Sequence, residues 1–319
     1  MHYRILLFLL ALTATDLSAQ RATAPAAADR AALTAAVPRL AALAETIYTD
    51  STAEARFAAC RDLIRELVTT LDRPNSFSVD FGEVPGLSIQ YPPDSTFRIF
   101  TWELYVDRDE YRHYGAIQRN TPELELVPLV DRGETWLENP ENAIVGPDNW
   151  LGYAVYDITP GGTYEGRPYY FLFGYDSYDG YRRRKILDVL SFTPDGQPRF
   201  GLPVFVTYTD SGLLLADRAR LILMYGAEAT VALRYDTDLE GVVYENLIMM
   251  PGSYGEGPVN MPDGSYHFLR YDPTGRMWHE EEQLFNHKYE EAPREVPRPD
   301  GGRDILGRST PKKGGGGGR

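Results

Sequence analysis

Tyr169-Tyr170-Phe171-Leu172-Phe173-Gly174-Tyr175-Asp176 and, after a polar stretch, Lys185-Ile186-Leu187-Asp188-Val189-Leu190 decide the fold. Aromatic and β-branched residues in runs of this length, bounded by Gly and Asp, are strands. The same texture runs from Pro74 to the end of the folded chain. Candidate strands are Phe97 to Val106, Tyr111 to Arg119, Leu124 to Val130, Trp150 to Thr159, Tyr169 to Tyr175 and Lys185 to Phe192. Further candidates are Pro203 to Tyr208, Arg218 to Tyr225, Thr230 to Tyr235, Val242 to Met249, Tyr266 to Tyr271 and Arg276 to Glu280. Pro194-Asp195-Gly196, Pro262-Asp263-Gly264 and Asp272-Pro273-Thr274-Gly275 carry turn chemistry, proline presetting one dihedral and glycine accepting a positive one. A sheet of that many strands curls, splits or closes rather than staying flat. The fold class expected is mainly β (α+β), with an antiparallel meander over residues 75–291 forming a sandwich or a partly open barrel. Tyr-Asp recurs five times at irregular spacing, which argues against a propeller or solenoid repeat.

Upstream the pattern is helical. From Ala26 to about Leu71 apolar residues recur three and four apart, with a break near Thr49 to Ser51, so residues 20–74 read as a helical hairpin. Ser51 with Glu54 fits a capping box, and Phe57, Cys60, Ile64, Leu67, Val68 and Leu71 share one face. Cys60 on that stripe is a buried small hydrophobe rather than a nucleophile.

The ends carry the address. Arg4, the apolar run Ile5 to Leu12 and the small residues Ser18-Ala19 read as a cleaved export signal over residues 1–19, too short to span a bilayer. Residues 292–319, rich in Pro and Gly and ending in Lys312-Lys313, five glycines and Arg319, read as a disordered basic tail. The expected localisation is exported, periplasmic or secreted, with no membrane-spanning segment after signal cleavage. A net charge of −14 repels phosphate backbones and disfavours nucleic acid as a partner. With one cysteine no internal disulfide is possible, so stability comes from packing.

Asn149-Trp150-Leu151-Gly152, Tyr169 to Asp176, Lys185 to Leu190, Phe200-Gly201-Leu202-Pro203-Val204-Phe205 and Met261-Pro262-Asp263-Gly264-Ser265-Tyr266 resemble a family of secreted, functionally uncharacterised proteins of Bacteroidetes-type bacteria. Arg98-Ile99-Phe100-Thr101-Trp102 and Leu233-Arg234-Tyr235-Asp236 extend the likeness over most of residues 75–280. The chain departs from the family pattern at Tyr225-Gly226 and in the basic run Arg182-Arg183-Arg184. The resemblance implies export and carries no activity.

Asp188 is the first catalytic candidate, because alternation puts it on one face with Ile186, Leu190 and Phe192. There it needs a partner such as Arg218 or Arg220. A structural ion pair is the simpler reading; a general acid or base with a raised pKa is the sharper one. Tyr164, Tyr169, Tyr170, Tyr175, Tyr178 and Tyr181 crowd one hairpin, and Tyr178 and Tyr181 at its tip are least explained by strand packing. With Arg182 and Arg183 they form the candidate ligand site, an aromatic shelf with a cationic arm. Asp176 and Asp179 read as a solvated turn, since they lack the spacing of a calcium loop. His279-Glu280-Glu281-Glu282 lacks the second histidine of a zinc-protease helix, and His113 has no nucleophile beside it in sequence. No nucleophile elbow, Walker loop or dinucleotide fingerprint occurs, and neither a metal nor a cofactor is expected. The favoured reading is a non-catalytic exported module that binds a glycan, another ligand or an envelope protein. The alternatives are a periplasmic hydrolase with a carboxylate acid/base and a barrel carrying an apolar molecule.

Overall fold

The structure, a computed structural model, describes residues 21–82, 84–132, 139–209, 212–252, 255 and 257–281. The expected leader, residues 1–19, and the expected tail, residues 292–319, lie outside the described residues.

Two helices, α1 (Ala27–Thr49) and α2 (Ala53–Leu71), form the expected hairpin. The cap of α2 is Thr52 rather than Ser51: its Oγ1 accepts the Ala55 N–H at 3.4 Å, and Asp50 Oδ1 in turn accepts from the Thr52 N–H and hydroxyl. The buried stripe is also rotated from the expected one. It comprises Ala59, Cys60, Leu63, Leu67 and Leu71, leaving Ile64 and Val68 exposed. Arg56 sets this rotation, since its buried guanidinium donates to the carbonyls of Tyr105, Val106 and Asp50 and pins that face against the sheet.

The first sheet runs β1 (Ser88–Gln90), β2 (Phe97–Asp107), β3 (Glu110–Arg119), β4 (Leu126–Val130) in that order. A second sheet contains β5 (Ala154–Tyr164), β6 (Arg167–Asp176), β7 (Arg182–Phe192) and β11 (Leu221–Gly226), ordered β11-β7-β6-β5, with β8 (Pro198–Phe200) beside β7. The third comprises β9 (Phe205–Tyr208), β10 (Leu214–Arg218), β12 (Leu233–Asp236), β13 (Gly241–Pro251), β14 (Pro258–Asp272) and β15 (Met277–Glu281). Its order is β10-β9-β15-β14-β13-β12. Between these strands pairing is antiparallel except between β15 and β9, where Trp278 meets Phe205 in parallel register. This corrects the expected all-antiparallel meander, since β15 follows β14 back across the sheet and lies beside β9 from much earlier in the chain.

The sheets are open and stack in layers; they do not close into a barrel. Alternation along β2 explains the stacking. Phe100, Trp102 and Leu104 pack under the helices, while Phe97 and Ile99 point the other way and meet Tyr170, Leu172, Ile186 and Leu190 of the second sheet. The opposite face of that second sheet, through Tyr169, Phe171, Phe173, Leu187 and Val189, meets Phe205, Val242, Leu269 and Trp278 of the third. The middle sheet is therefore covered on both sides, which is why the Tyr169 to Phe173 run is apolar at every position rather than at alternate ones. Cys60 lies where expected, its Sγ 3.4 Å from Trp102 Nε1.

Two of the three expected turns hold: Pro194-Asp195 and Asp272 to Gly275 are turns. Pro262-Asp263-Gly264 is not. It lies within β14, where the register slips between Glu245 and Leu247 of β13 and Gly264 takes φ +83°. The turn chemistry serves a bulge, with Asp263 Oδ1 accepting the Ser265 N–H at 2.8 Å.

Candidate functional site

Strand β3 outruns its neighbour. Its pairing with β4 starts at Tyr114 opposite Val130, so from Glu110 to His113 no described strand lies on that side. After Val130 the chain turns to bridge Asp131 with Trp150. A cleft of about 580 Å³ opens beside this strand edge, walled by Asp109 to Tyr114, Leu129 to Arg132 and Tyr178.

Behind that wall is a buried polar network drawn from four segments. Glu103 on β2 stands directly across from His113 on β3. His113 Nε2 lies 3.1 Å from Glu103 Oε2 and 3.4 Å from Asp176 Oδ1, and Nδ1 lies 3.3 Å from Asp131 Oδ2. The His113 N–H also donates to Asp131 Oδ2, at 3.0 Å. Glu103 further accepts the Ser177 N–H at 2.8 Å and the Ser177 hydroxyl at 2.5 Å. Asp176 Oδ2 takes Arg184 Nε at 2.6 Å, and its Oδ1 takes the Tyr178 N–H at 2.8 Å.

Burial alone would strip the His113 ring of its proton. The hydrogen bonds to Asp131 and Glu103, with the charges of Asp176 and Glu103, outweigh burial and push its pKa up to about 10. For Glu103, burial favours the neutral acid, but His113 and Ser177 reverse that and hold the carboxyl below its ordinary value. With both ring nitrogens engaged by carboxylates, His113 offers no free lone pair to act as a base, and the Ser177 hydroxyl is turned to Glu103 rather than to the imidazole. The arrangement stores charge and fixes geometry: it ties the β6–β7 turn to the first sheet and holds Tyr178 at φ +53°, at the cleft.

Of the residues singled out from sequence, Tyr178 borders the cleft. It is half-buried, its ring lying 4.1 Å from Arg184 Cζ and 5.0 Å from Arg182 Cζ. Tyr181 is outside the cleft wall, half-buried with Arg108 Cζ 4.7 Å from its ring centre. Arg182 is spent on Asp179, and Arg183 Nη1 donates to the carbonyls of Ser177, Asp179 and Arg182. These two arginines build the turn instead of extending from it. Asp176 and Asp179, read as a solvated turn, are buried because the turn folds back onto the end of the first sheet.

Asp188 is fully buried between the first and second sheets. Its Oδ1 lies 3.0 Å from Arg220 Nε, also fully buried, and its Oδ2 accepts from the Tyr153 hydroxyl at 2.9 Å. Arg220, not Arg218, is the partner; Arg218 pairs with Glu141. Asp188 does not line the cleft and has no exposure to solvent, so the geometry makes it a structural ion pair, in place of the acid/base role considered from sequence.

Sequence reasoning missed Glu103 and Asp131, and it set His113 aside for want of a nucleophile beside it. One signal was present: Glu103 falls in step with Phe97, Ile99 and Thr101, so alternation places a carboxylate on an inward face. Chain comparisons add no family: no family model, curated protein or solved structure matches the chain.

Proposed function

We propose that the protein is an exported, non-catalytic binding module whose cleft beside His113 takes a polar, ring-bearing ligand of the glycan type. The observation that carries this reading is Tyr178, held by the buried network at the mouth of a 580 Å³ cleft that also exposes Tyr111, Arg112, Asp131 and Arg132. A saccharide offers C–H faces to aromatic rings and hydroxyls to charged planar groups, and this wall supplies both kinds of partner. The open sheets offer no enclosed barrel interior for an apolar cargo. The saturated imidazole and the sequestered Asp188 argue against the hydrolase alternative. Among the described residues no helix is long and apolar enough to cross a membrane.

Screening the purified chain against a glycan array, then titrating the hits by calorimetry, tests the assignment. Tyr178→Ala should weaken binding by about tenfold or more, equivalent to about 1.4 kcal/mol, while Tyr181→Ala leaves it unchanged. Absence of glycan binding, or equal loss in both variants, overturns the reading. Export is tested separately: fractionated cells should yield a processed chain beginning at Gln20, and an unprocessed cytosolic chain would contradict it.

A further inference from the structure

Glu103, His113 and Asp176, all buried, each offer one donor atom, and these three atoms lie within 4.8 Å of one another. Two of the separations, 3.1 Å and 3.4 Å to His113 Nε2, approach the donor–donor edges of about 3.3–3.6 Å that follow from tetrahedral zinc with bonds of 2.0–2.2 Å. The third residue around the ring is arranged differently. Asp131 lies at Nδ1, on the far side of the imidazole, 3.3 Å away. A carboxylate there accepts the Nδ1–H and holds the ring with Nε2 toward the other two acids, as outer carboxylates do behind metal-bound histidines.

Without an ion, a proton on Nε2 sits between these two carboxylate oxygens; an ion in the proton's place would take the Nε2 lone pair and one oxygen from each acid. Three carboxylates surround the ring, and Arg184 pairs with one of them, Asp176. The site is mixed nitrogen and oxygen, which suits zinc and its first-row neighbours better than calcium or magnesium. His113 and Asp131 border the cleft, on the Nδ1 side of the ring.

We propose that Glu103, His113 and Asp176 form a binding site for a divalent first-row cation, zinc by its donor spacing, with Asp131 as the residue that orients the ligating imidazole. The site is independent of the glycan reading of the cleft: an ion can bind here whether or not a sugar binds outside.

The full chain, stripped with chelator and dialysed, is titrated with zinc alone, with cobalt(II) as a spectroscopic substitute. The expected result is one ion per chain, a cobalt absorption band of tetrahedral intensity and a shift of the His113 ring nitrogens in the ¹⁵N spectrum. Asp131→Asn keeps an acceptor for the His113 N–H and should weaken binding by about 10- to 100-fold; Glu103→Gln should weaken it further, and His279→Gln should leave it unchanged. The proposal is overturned if saturating zinc leaves the His113 ring signals where they were, a measurement on the wild-type chain that needs no variant to fold. It is equally overturned if binding survives Glu103→Gln and Asp131→Asn undiminished. Zinc binding without glycan binding would sink the cleft assignment alone, and glycan binding without zinc would sink this one alone.

Discussion

Arg220 Nε stands 3.0 Å from Asp188 Oδ1 with both side chains fully buried, so a charge pair is enclosed between two apolar sheet faces. The contact is ionic rather than a well-directed hydrogen bond, and among the described residues Arg220 Nη2 has no hydrogen-bond partner; the guanidinium is held additionally by the carbonyls of Pro140 and Ala143. Such a pair stabilises little over an apolar pair of the same volume, yet removing one member strands the other. Arg220→Met should cost about 3–5 kcal/mol in chemical denaturation. The double variant Asp188→Leu/Arg220→Met should recover most of this, short of about 1–3 kcal/mol for the orphaned Tyr153 hydroxyl. Additive losses in the double variant would show that the two charges are not coupled.

Gly201 sits against the same pair. It takes φ +85°, and a Cβ there would lie 2.5 Å from the Ala143 carbonyl oxygen and 2.8 Å from Arg220 Nη2. Backbone cannot yield as a flexible side chain can. Gly201→Ala should therefore destabilise by at least the roughly 1–3 kcal/mol of left-handed strain, read as a lowered denaturation midpoint. Gly212→Ala, also at positive φ but with nothing within 4 Å, should cost less and calibrates the strain alone.

Acid should weaken the third sheet through Glu280. Burial raises its pKa, but His267 Nδ1 at 2.7 Å, the Tyr244 hydroxyl at 2.7 Å and the Tyr208 N–H at 2.7 Å outweigh that and bring it below the ordinary 4.5. The unfolded chain then holds this proton more tightly than the folded one. The contribution is complete above pH 4.5 and is lost as pH falls through the lower folded value. Glu280→Gln should be less stable than wild type at pH 7, and the gap should narrow below pH 4.5. A constant gap across that range would contradict the assignment.

Cys60 should be inert in the folded chain. It is 2 % exposed, burial pushes its thiol pKa up, and Trp102 Nε1 covers the sulfur. A thiol reagent should label no cysteine in native buffer and one per chain in denaturant. Rapid native labelling would show that the helical hairpin opens away from the first sheet.

Local pattern was enough for the helices, most strands and most turns, because each depends on residues within one or two turns of chain. The three-residue β1 and β8 and the edge strand β10 were not expected, being too short to show an alternating pattern. Its other failures have separate causes. The α2 stripe was misplaced because Arg56, a charged residue, turned out to be the anchor. Pro262-Asp263-Gly264 was misread because a bulge and a turn use the same dihedrals. Asp176 was assigned to solvent because nothing in its own segment reveals that Glu103, 73 positions earlier, accepts from its neighbour Ser177.

By itself the sequence determined the helical hairpin, most of the strands, the burial of Cys60 and Asp188, and the acidic character of the chain. Those follow from periodicity and from the solvation cost of each residue type. The same pattern implied antiparallel pairing throughout and did not reveal the parallel β15–β9 pair. Only the tertiary structure decided that three open sheets stack under the helices, and that Glu103, His113, Asp131 and Asp176 converge beside one cleft. A charge cluster of that sort is made by strand register and layer stacking, which bring distant residues together at ångström range. No spacing along the chain encodes such a meeting.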